Sequence, residues 1–344
     1  MIPTLKDIAA QMMASGKGIL AADESNASMN KHLKNIGVEE SVDMRRRYRD
    51  LLMTTPDFEK YISGVILYDE TIRQNSLSGM PFWQVLEHKG ILPGIKVDKG
   101  LHPLPNFPNE EVTDGLDGLS ERLAEYYAMG ARFAKWRATF LVAPGLPTDE
   151  AIAANAHLLT RYALACQEAH IVPMVEPEVL YDDPHFPGDN AHTIEESRAT
   201  IERVLKALFA ELVRYRVDLP GLILKTSMAL SGVNAATKAD TLMVARETVA
   251  ALKASVPDTV GGVVFLSGGQ LPQEATENLN AIAKIGPYPW PITFSYSRAV
   301  EIPVLDAWRG TEKNVPAAQA ALIRRLSLNS LAKAGKYHRE MEPQ

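Results

Sequence analysis

The sequence predicts an α/β protein built as one (β/α)8 barrel, a TIM barrel, and three observations carry that reading. Short apolar runs bounded by turn residues recur eight times, segments of helical periodicity separate them, and charged side chains gather late in the runs, where such a barrel keeps its working face. The chain has 344 residues, 46% hydrophobic and 23% charged, which is long and apolar enough to bury a large core. No linker rich in Gly, Ser or Pro parts it. Residues 1–344 are therefore read as a single domain, with the Pro-dotted stretch 102–108 as a surface loop.

The first run, 18–23 (GILAAD), ends in Asp23, and a helical stretch over 42–60 leads to the second, 64–69 (GVILYD). The third, 94–98 (GIKVD), sets Lys96 and Asp98 two residues apart and hence on one face of a strand. After a helix at 120–129 the fourth, 131–138 (ARFAKWRA), does the same with Lys135 and Arg137. A helix at 148–169 precedes the fifth, 171–179 (IVPMVEPEV), which carries Glu176 and Glu178. Helices at 193–217, 237–256 and 273–284 separate the last three: 221–228 (GLILKTSM) with Lys225, 262–269 (GVVFLSGG) with Ser267 and Gly268, and 291–297 (PITFSYS) with Ser295, followed by Arg298. A final helix near 316–335 is expected to pack on the barrel, across one of its ends.

Of the charged residues named, Lys96, Lys135, Arg137, Lys225 and Arg298 are positive and Asp23, Asp98, Glu176 and Glu178 negative, the near-balance of a partly buried, mutually paired group. Taken singly, a strand-end lysine is ordinarily a solvated rim residue, a carboxylate pair split by Pro a helix-entry cap, and a Ser in a Gly-rich turn a local cap. Their joint placement on one face of one barrel end is what points to a charged cleft.

The chain-wide charge sets limits on partners. Lys plus Arg number 36 against 42 Asp plus Glu, a net charge of −6, so neither nucleic acid nor a membrane is an expected partner. Lys6 and Asp7 interrupt the apolar stretch at the start, which does not read as a signal peptide, and no run reaches the roughly 18 apolar residues of a membrane span; a cytoplasmic protein is expected. One cysteine, Cys166, excludes an internal disulfide framework and reads as a packing residue.

No HxH or HExxH spacing appears and no acidic cluster is free of lysines, so no metal is expected in the cleft. The loop 182–192 holds His185, His192, Asp182, Asp183 and Asp189, but its Pro and Gly content reads as a surface loop rather than a metal site. A lysine inside a strand is unusual. Burial and a nearby cation both favour its free amine, which can attack a carbonyl and form a Schiff base, an electron sink for breaking a carbon–carbon bond. Lys225, which follows GLIL near a strand end, is the better candidate and Lys135, beside Arg137, the other, and pattern alone does not choose firmly between them; Glu176 and Asp23 could move the protons. The SGG turn after the seventh run, with Arg298 after the eighth, suits a phosphate.

The segments GKGILAADES, YDETIRQ, GIKVDKG, FAKWRA, VPMVEPEVL, LSGGQ and FSYSRA resemble the class I (Schiff-base) fructose-bisphosphate aldolases, over about residues 5 to 337. The resemblance implies a (β/α)8 enzyme needing no cofactor and no metal. It would cleave fructose 1,6-bisphosphate reversibly to dihydroxyacetone phosphate and glyceraldehyde 3-phosphate, in a family whose members are commonly tetramers. By that resemblance Lys225 is the Schiff-base lysine, Lys135 helps form and dehydrate the carbinolamine, and Glu176 is the acid/base of imine formation. Glu178 is a partner carboxylate near Lys225, and Asp23 handles the C4 hydroxyl proton. Ser267, Gly268 and Arg298 match the clamp on the ketone-side phosphate and Ser25, Ser28 and Lys96 the aldehyde-side region, with Ser295 beside the former and Arg137 in the charged cluster.

Three departures stand out. Lys31-His32 replaces the family's Lys-Arg pair, the 182–192 loop looks longer than in most animal members, and the ending KYHREMEPQ lacks their tail tyrosine, so trimming 339–344 is expected to change cleavage less than about twofold. Competing readings are another Schiff-base barrel aldolase, such as transaldolase, a sedoheptulose-bisphosphate aldolase, and a non-catalytic scaffold. Two separate cationic regions favour a bisphosphate, and the intact Lys225, Lys135, Glu176, Asp23 set disfavours the scaffold.

Overall fold

Each of the eight apolar runs forms a parallel strand. The structure, a computed structural model, describes residues 3–183, 186, 188 and 190–342. Numbered along the chain, the strands are β1 (Gly18–Ala22), β2 (Ile62–Leu67), β3 (Leu92–Lys96), a small hairpin of β4 (Leu101–Pro103) and β5 (Glu111–Thr113), then β6 (Phe133–Leu141), β7 (Val172–Leu180), β8 (Ile223–Thr226), β9 (Gly262–Phe265) and β10 (Ile292–Tyr296). All but the hairpin close into a barrel in the order β1-β10-β9-β8-β7-β6-β3-β2. The hairpin is not foreseen by the sequence reading; it is short and nearly all its side chains are partly exposed, so it carries no apolar run to notice.

Helices fill the connections, and their ends follow local chemistry. The stretch 42–60 stops as an α-helix at Thr54, because Thr55 precedes Pro56 and is driven to an extended conformation, and only a single 3-10 turn follows at Phe58–Lys60. Further α-helices lie at Leu5–Met12, Asn26–Asn35, Asp69–Ile72, Phe82–His88 and Arg298–Trp308.

Period two divides the barrel interior into layers. Ile19, Ala21, Ile66, Leu92, Phe133, Val172, Met174, Ile223 and Val264 form an apolar floor, and Ile8, Ala9, Met12 and Met13 from the N-terminal segment plug it from below. That helix is set by a capping box: Thr4 Oγ1 accepts from Asp7 N (3.2 Å) and Asp7 returns the bond to Thr4 N (2.9 Å). The large ring of Phe133 needs space opposite. A Cβ at Gly94 would lie 2.2 Å from it, and one at Gly64 2.9 Å.

The last helix, Val315–Lys333, packs on the barrel as predicted, but along its flank, beside Pro272–Ile285 and Arg298–Trp308, rather than across an end. Its final turn reaches the floor's rim, where Lys333 Nζ donates to the carbonyls of Ala14 (2.7 Å) and Lys17 (2.9 Å). The end itself is closed by helix Leu5–Met12. Among the described residues no helix is long and apolar enough to cross a membrane.

Candidate active site

The alternation that lays the floor continues upward and changes chemistry. On β6 Phe133 is followed two residues later by Lys135 and then Arg137; on β7 Val172 and Met174 give way to Glu176 and Glu178; on β8 Ile223 is followed by Lys225; beyond β1, Ile19 and Ala21 lead to Asp23. All these strands are parallel, so the polar residues meet at one mouth. They line a cleft of about 830 Å³ together with Ser25, Ser28, Lys96, Asp98, Ser267, Gly268, Ser295 and Arg298, within the usual range of about 300–1,000 Å³ for a small-molecule site.

At its base the charges form a chain. Lys225 Nζ lies 2.9 Å from Glu176 Oε1; Glu176 Oε2 lies 3.2 Å from Lys135 Nζ; Lys135 Nζ lies 2.7 Å from Asp23 Oδ2 and 4.0 Å from Asp98 Oδ2. Lys225, Lys135 and Glu176 are each under 5% exposed. Lys96 is ion-paired to Asp98, and Arg137 to Glu178. Four carboxylates thus meet four cations, which offsets the cost of removing them from water. Arg298, the fifth cation, lines the cleft, is exposed and has no ion-pair partner among the described residues.

Electrostatics follow from these pairs. Burial opposes the charge on Asp23, but Lys135, Lys225 and Lys96 overcome it and hold its pKa at about 2. Glu176 is likewise held below the usual carboxylate range, burial being outweighed by Lys135 and Lys225. Burial would strip the Lys135 ammonium of its proton, yet Asp23, Glu176 and Asp98 raise its pKa well above an ordinary lysine's, so Lys135 is a fixed cation. That separates the two lysines. Lys225 is ion-paired to a single carboxylate, Glu176, whereas Lys135 is locked between several.

The structure brings every predicted site residue to this cleft, with different company from that expected for two. Glu178, expected beside Lys225, is held by Arg137, and the carboxylate at Lys225 is Glu176. Lys96, expected to face a phosphate, has its ammonium on Asp98, whose backbone carbonyl it also reaches at 3.0 Å. Ser25 caps the helix Asn26–Asn35, its Oγ accepting from Ser28 N at 3.3 Å and lying 3.1 Å from Ser28 Oγ. Ser295 is 1% exposed, and its hydroxyl has no hydrogen-bond partner among the described residues. Gly268 and Gly269 occupy φ of +61° and +101°, a turn that non-glycine residues resist. Burial lowers the pKa of His32, with Glu24, Arg298 and Arg49 as its charged neighbours. His192 is buried, while His185 and Asp189 of the 182–192 loop lie outside the described residues. Among the described residues no three His, Cys, Asp or Glu side chains could hold a metal ion.

Two groups escaped the sequence reading as working residues. Asp98 was visible as a strand-end charge, and its role as the hinge between Lys96 and Lys135 depends on strand neighbours. Behind the rim, Arg49 donates to Glu24 (2.6 Å) and Glu301 (3.4 Å), and Ser297 donates to the other Glu24 oxygen. Burial and the nearby Glu24 raise the Glu301 pKa to about 8 against the pull of Arg49. Arg49 and Glu301 stand on separate helices, with no local signal that they meet.

Comparison with known proteins points one way. Residues 4–344 match the family model described as fructose-bisphosphate aldolase class-I. A probable fructose-bisphosphate aldolase class 1 of Xanthomonas campestris pv. campestris is 47% identical over 98% of this chain and 99% of its own. Fructose-bisphosphate aldolase 2 of Plasmodium berghei is 46% identical over 97% of this chain and 89% of its own. Among solved structures, the fructose-bisphosphate aldolase of Plasmodium falciparum, crystallised in a ternary complex with TRAP and a small-molecule inhibitor, superposes with a TM-score of 0.94 at 45% identity, covering 97% of this chain and 95% of that one.

Proposed function

We propose a division of labour among these residues that starts from the family to which the chain belongs, the class I fructose-bisphosphate aldolases. Its activity is that of a carbon–carbon lyase acting on fructose 1,6-bisphosphate. Lys225 is the nucleophile. It passes a proton to Glu176 and its free amine attacks the C2 ketone; Glu176 returns a proton as water leaves the carbinolamine, giving the iminium. Asp23 takes the C4 hydroxyl proton, the C3–C4 bond breaks, and its electrons flow into the iminium to leave an enamine. Glyceraldehyde 3-phosphate departs; Glu176 or water delivers a proton to C3 of the enamine while Asp23 gives up to solvent the proton it took, and water hydrolyses the restored iminium to release dihydroxyacetone phosphate and the Lys225 amine. Lys135 stays charged beside both, 2.7 Å from Asp23 and 3.2 Å from Glu176, and favours the return of each to its carboxylate once it has passed its proton on.

The observation that supports this assignment is the unbroken chain Lys225–Glu176–Lys135–Asp23, with contacts of 2.9, 3.2 and 2.7 Å. The pairing partner of Lys225 is a carboxylate and not a second cation, so the amine is freed by proton transfer to Glu176. Arg298, Ser267, Gly268 and Ser295 receive the ketone-side phosphate; Ser25 and Ser28, with Lys96 nearby, receive the aldehyde-side one. No metal is required, because the iminium is the electron sink, and EDTA should leave the rate unchanged. Residues 1–344 act as one domain, in a cytoplasmic homo-oligomer, which light scattering would test.

Borohydride reduction in the presence of dihydroxyacetone phosphate tests the nucleophile. Label should map to Lys225, and Lys225→Met should lose both label and at least about a thousandfold in kcat, as expected when a covalent nucleophile is removed. Full labelling of that variant, or label on Lys135, overturns the assignment. Steady-state rates on sedoheptulose 1,7-bisphosphate measure the breadth of the same site.

A further inference from the structure

The open face of Gly269 is where two side chains from different parts of the barrel converge. A Cβ placed there would stand 3.4 Å from Arg298 Nη2, 3.5 Å from Arg298 Nη1 and 3.4 Å from the Tyr181 hydroxyl. Tyr181 directly follows β7, its carbonyl accepts from Val233 N at 2.9 Å, and its ring edge lies 4.0 Å from a Cβ built on Gly268. Thus a guanidinium and a phenol converge on a turn of two left-handed glycines. The Gly268 and Gly269 amides donate to no intramolecular acceptor among the described residues. A side chain at Gly269 would occupy the space between them, which an oxyanion can enter instead.

We infer that Tyr181 is a further substrate-binding residue, its hydroxyl donating to the ketone-side phosphate alongside Arg298 and the Gly268–Gly269 amides. This rests on the assignment of that phosphate to Arg298 made above. Phosphate presents three acceptor oxygens, and a guanidinium fork satisfies two; a neutral hydroxyl adds a donor without adding charge. Three charged groups face the phenol: Asp182 beside it in the chain, Glu274 from helix Pro272–Ile285, and Arg298. Burial, then Asp182, raises the Tyr181 pKa, with Arg298 opposing, which keeps the hydroxyl a donor at neutral pH.

Tyr181→Phe keeps the ring and removes the donor. It should raise KM about three- to tenfold, the loss of one hydrogen bond to a charged acceptor, with kcat within twofold and melting temperature unchanged. Fructose 1-phosphate, which carries only the ketone-side phosphate, should show the same rise as the bisphosphate. An unchanged KM, or a rise with the bisphosphate alone, overturns the role of Tyr181. Arg298→Ala separates the two claims: its KM should rise at least about tenfold. If that rise occurs while Tyr181→Phe is silent, the phosphate is where Arg298 puts it and Tyr181 takes no part. If neither variant moves KM, the phosphate placement itself is wrong.

Discussion

Val172 and Glu176 stand on one strand, point into one barrel, and are both buried, yet they belong to opposite kinds of interior. Around Val172 the floor is apolar, close-packed and plugged by helix Leu5–Met12. Around Glu176 the mouth is a lattice of charges whose burial is offset only by each other. Floor residues gain from leaving water, about 1.5–3 kcal/mol for each fully buried large side chain. Mouth residues gain little, since a buried ion pair often does no better than the apolar group that could replace it. The difference teaches where stability and activity are separable: four residues along β7 are enough.

The sharpest way to break that comparison is at Glu176. Glu176→Gln keeps the volume but removes the carboxylate between two lysines, and kcat should fall by about 10²–10⁴, the range for a general acid/base. The same variant should unfold as a single cooperative unit. If kcat drops less than about tenfold, Glu176 is a structural counter-ion only.

Asp23→Asn should lower kcat by about a hundredfold and alter acid stability as well. The native carboxyl titrates near 2 against an ordinary value of 3.8, so its contribution is complete above about pH 4 and lost as pH falls toward 2. That contribution is about 2 kcal/mol. Acid unfolding curves of the two proteins should diverge above pH 4 and converge near pH 2; parallel curves would contradict the pairing with Lys135.

The floor makes the opposite prediction. Gly94→Ala drives a methyl into the Phe133 ring, and overpacking of this sort costs about 1–3 kcal/mol. Melting temperature should fall while kcat and KM of the folded protein stay within about twofold. A large change in kcat would show that floor and mouth are mechanically coupled.

An effect on stability and not on catalysis lies behind the rim. Glu301 titrates near 8 instead of 4.5, so the native state keeps its proton where the unfolded chain has lost it, and stability declines as pH rises from about 4.5 to 8. Glu301→Gln does not titrate. Its stability relative to the parent should therefore grow steadily across that window, measured by urea unfolding at both ends. A constant difference would mean that Glu301 is ionised throughout.

Much of this was legible in the chain. The eight runs, the alternation within them and the helical spacing between them specify a barrel, because period two and period 3.6 are properties of single elements. Thus Lys135, Glu176 and Lys225 could be placed on the inner face before any contact was known, and the motifs around them carried the family. Element ends were less secure: the helix at 42 stops at Thr54 because of the backbone restriction before Pro56, a local rule outweighed in the reading by periodicity.

What the sequence determined by itself is which residues share a face and which chemistry they bring to it. Which charge meets which was left to the tertiary structure. Glu178 and Glu176 are two residues apart and chemically alike, yet one pairs with Arg137 and the other with Lys225 and Lys135. The flank course of helix Val315–Lys333, the Arg49–Glu24–Glu301 cluster and the meeting of Tyr181 with Arg298 at Gly269 were settled the same way. The physical reason is range. Backbone geometry repeats over a few residues and can be read along the chain, whereas an ion pair or a packing contact depends on distances between segments tens to hundreds of residues apart, which exist only once the barrel has closed.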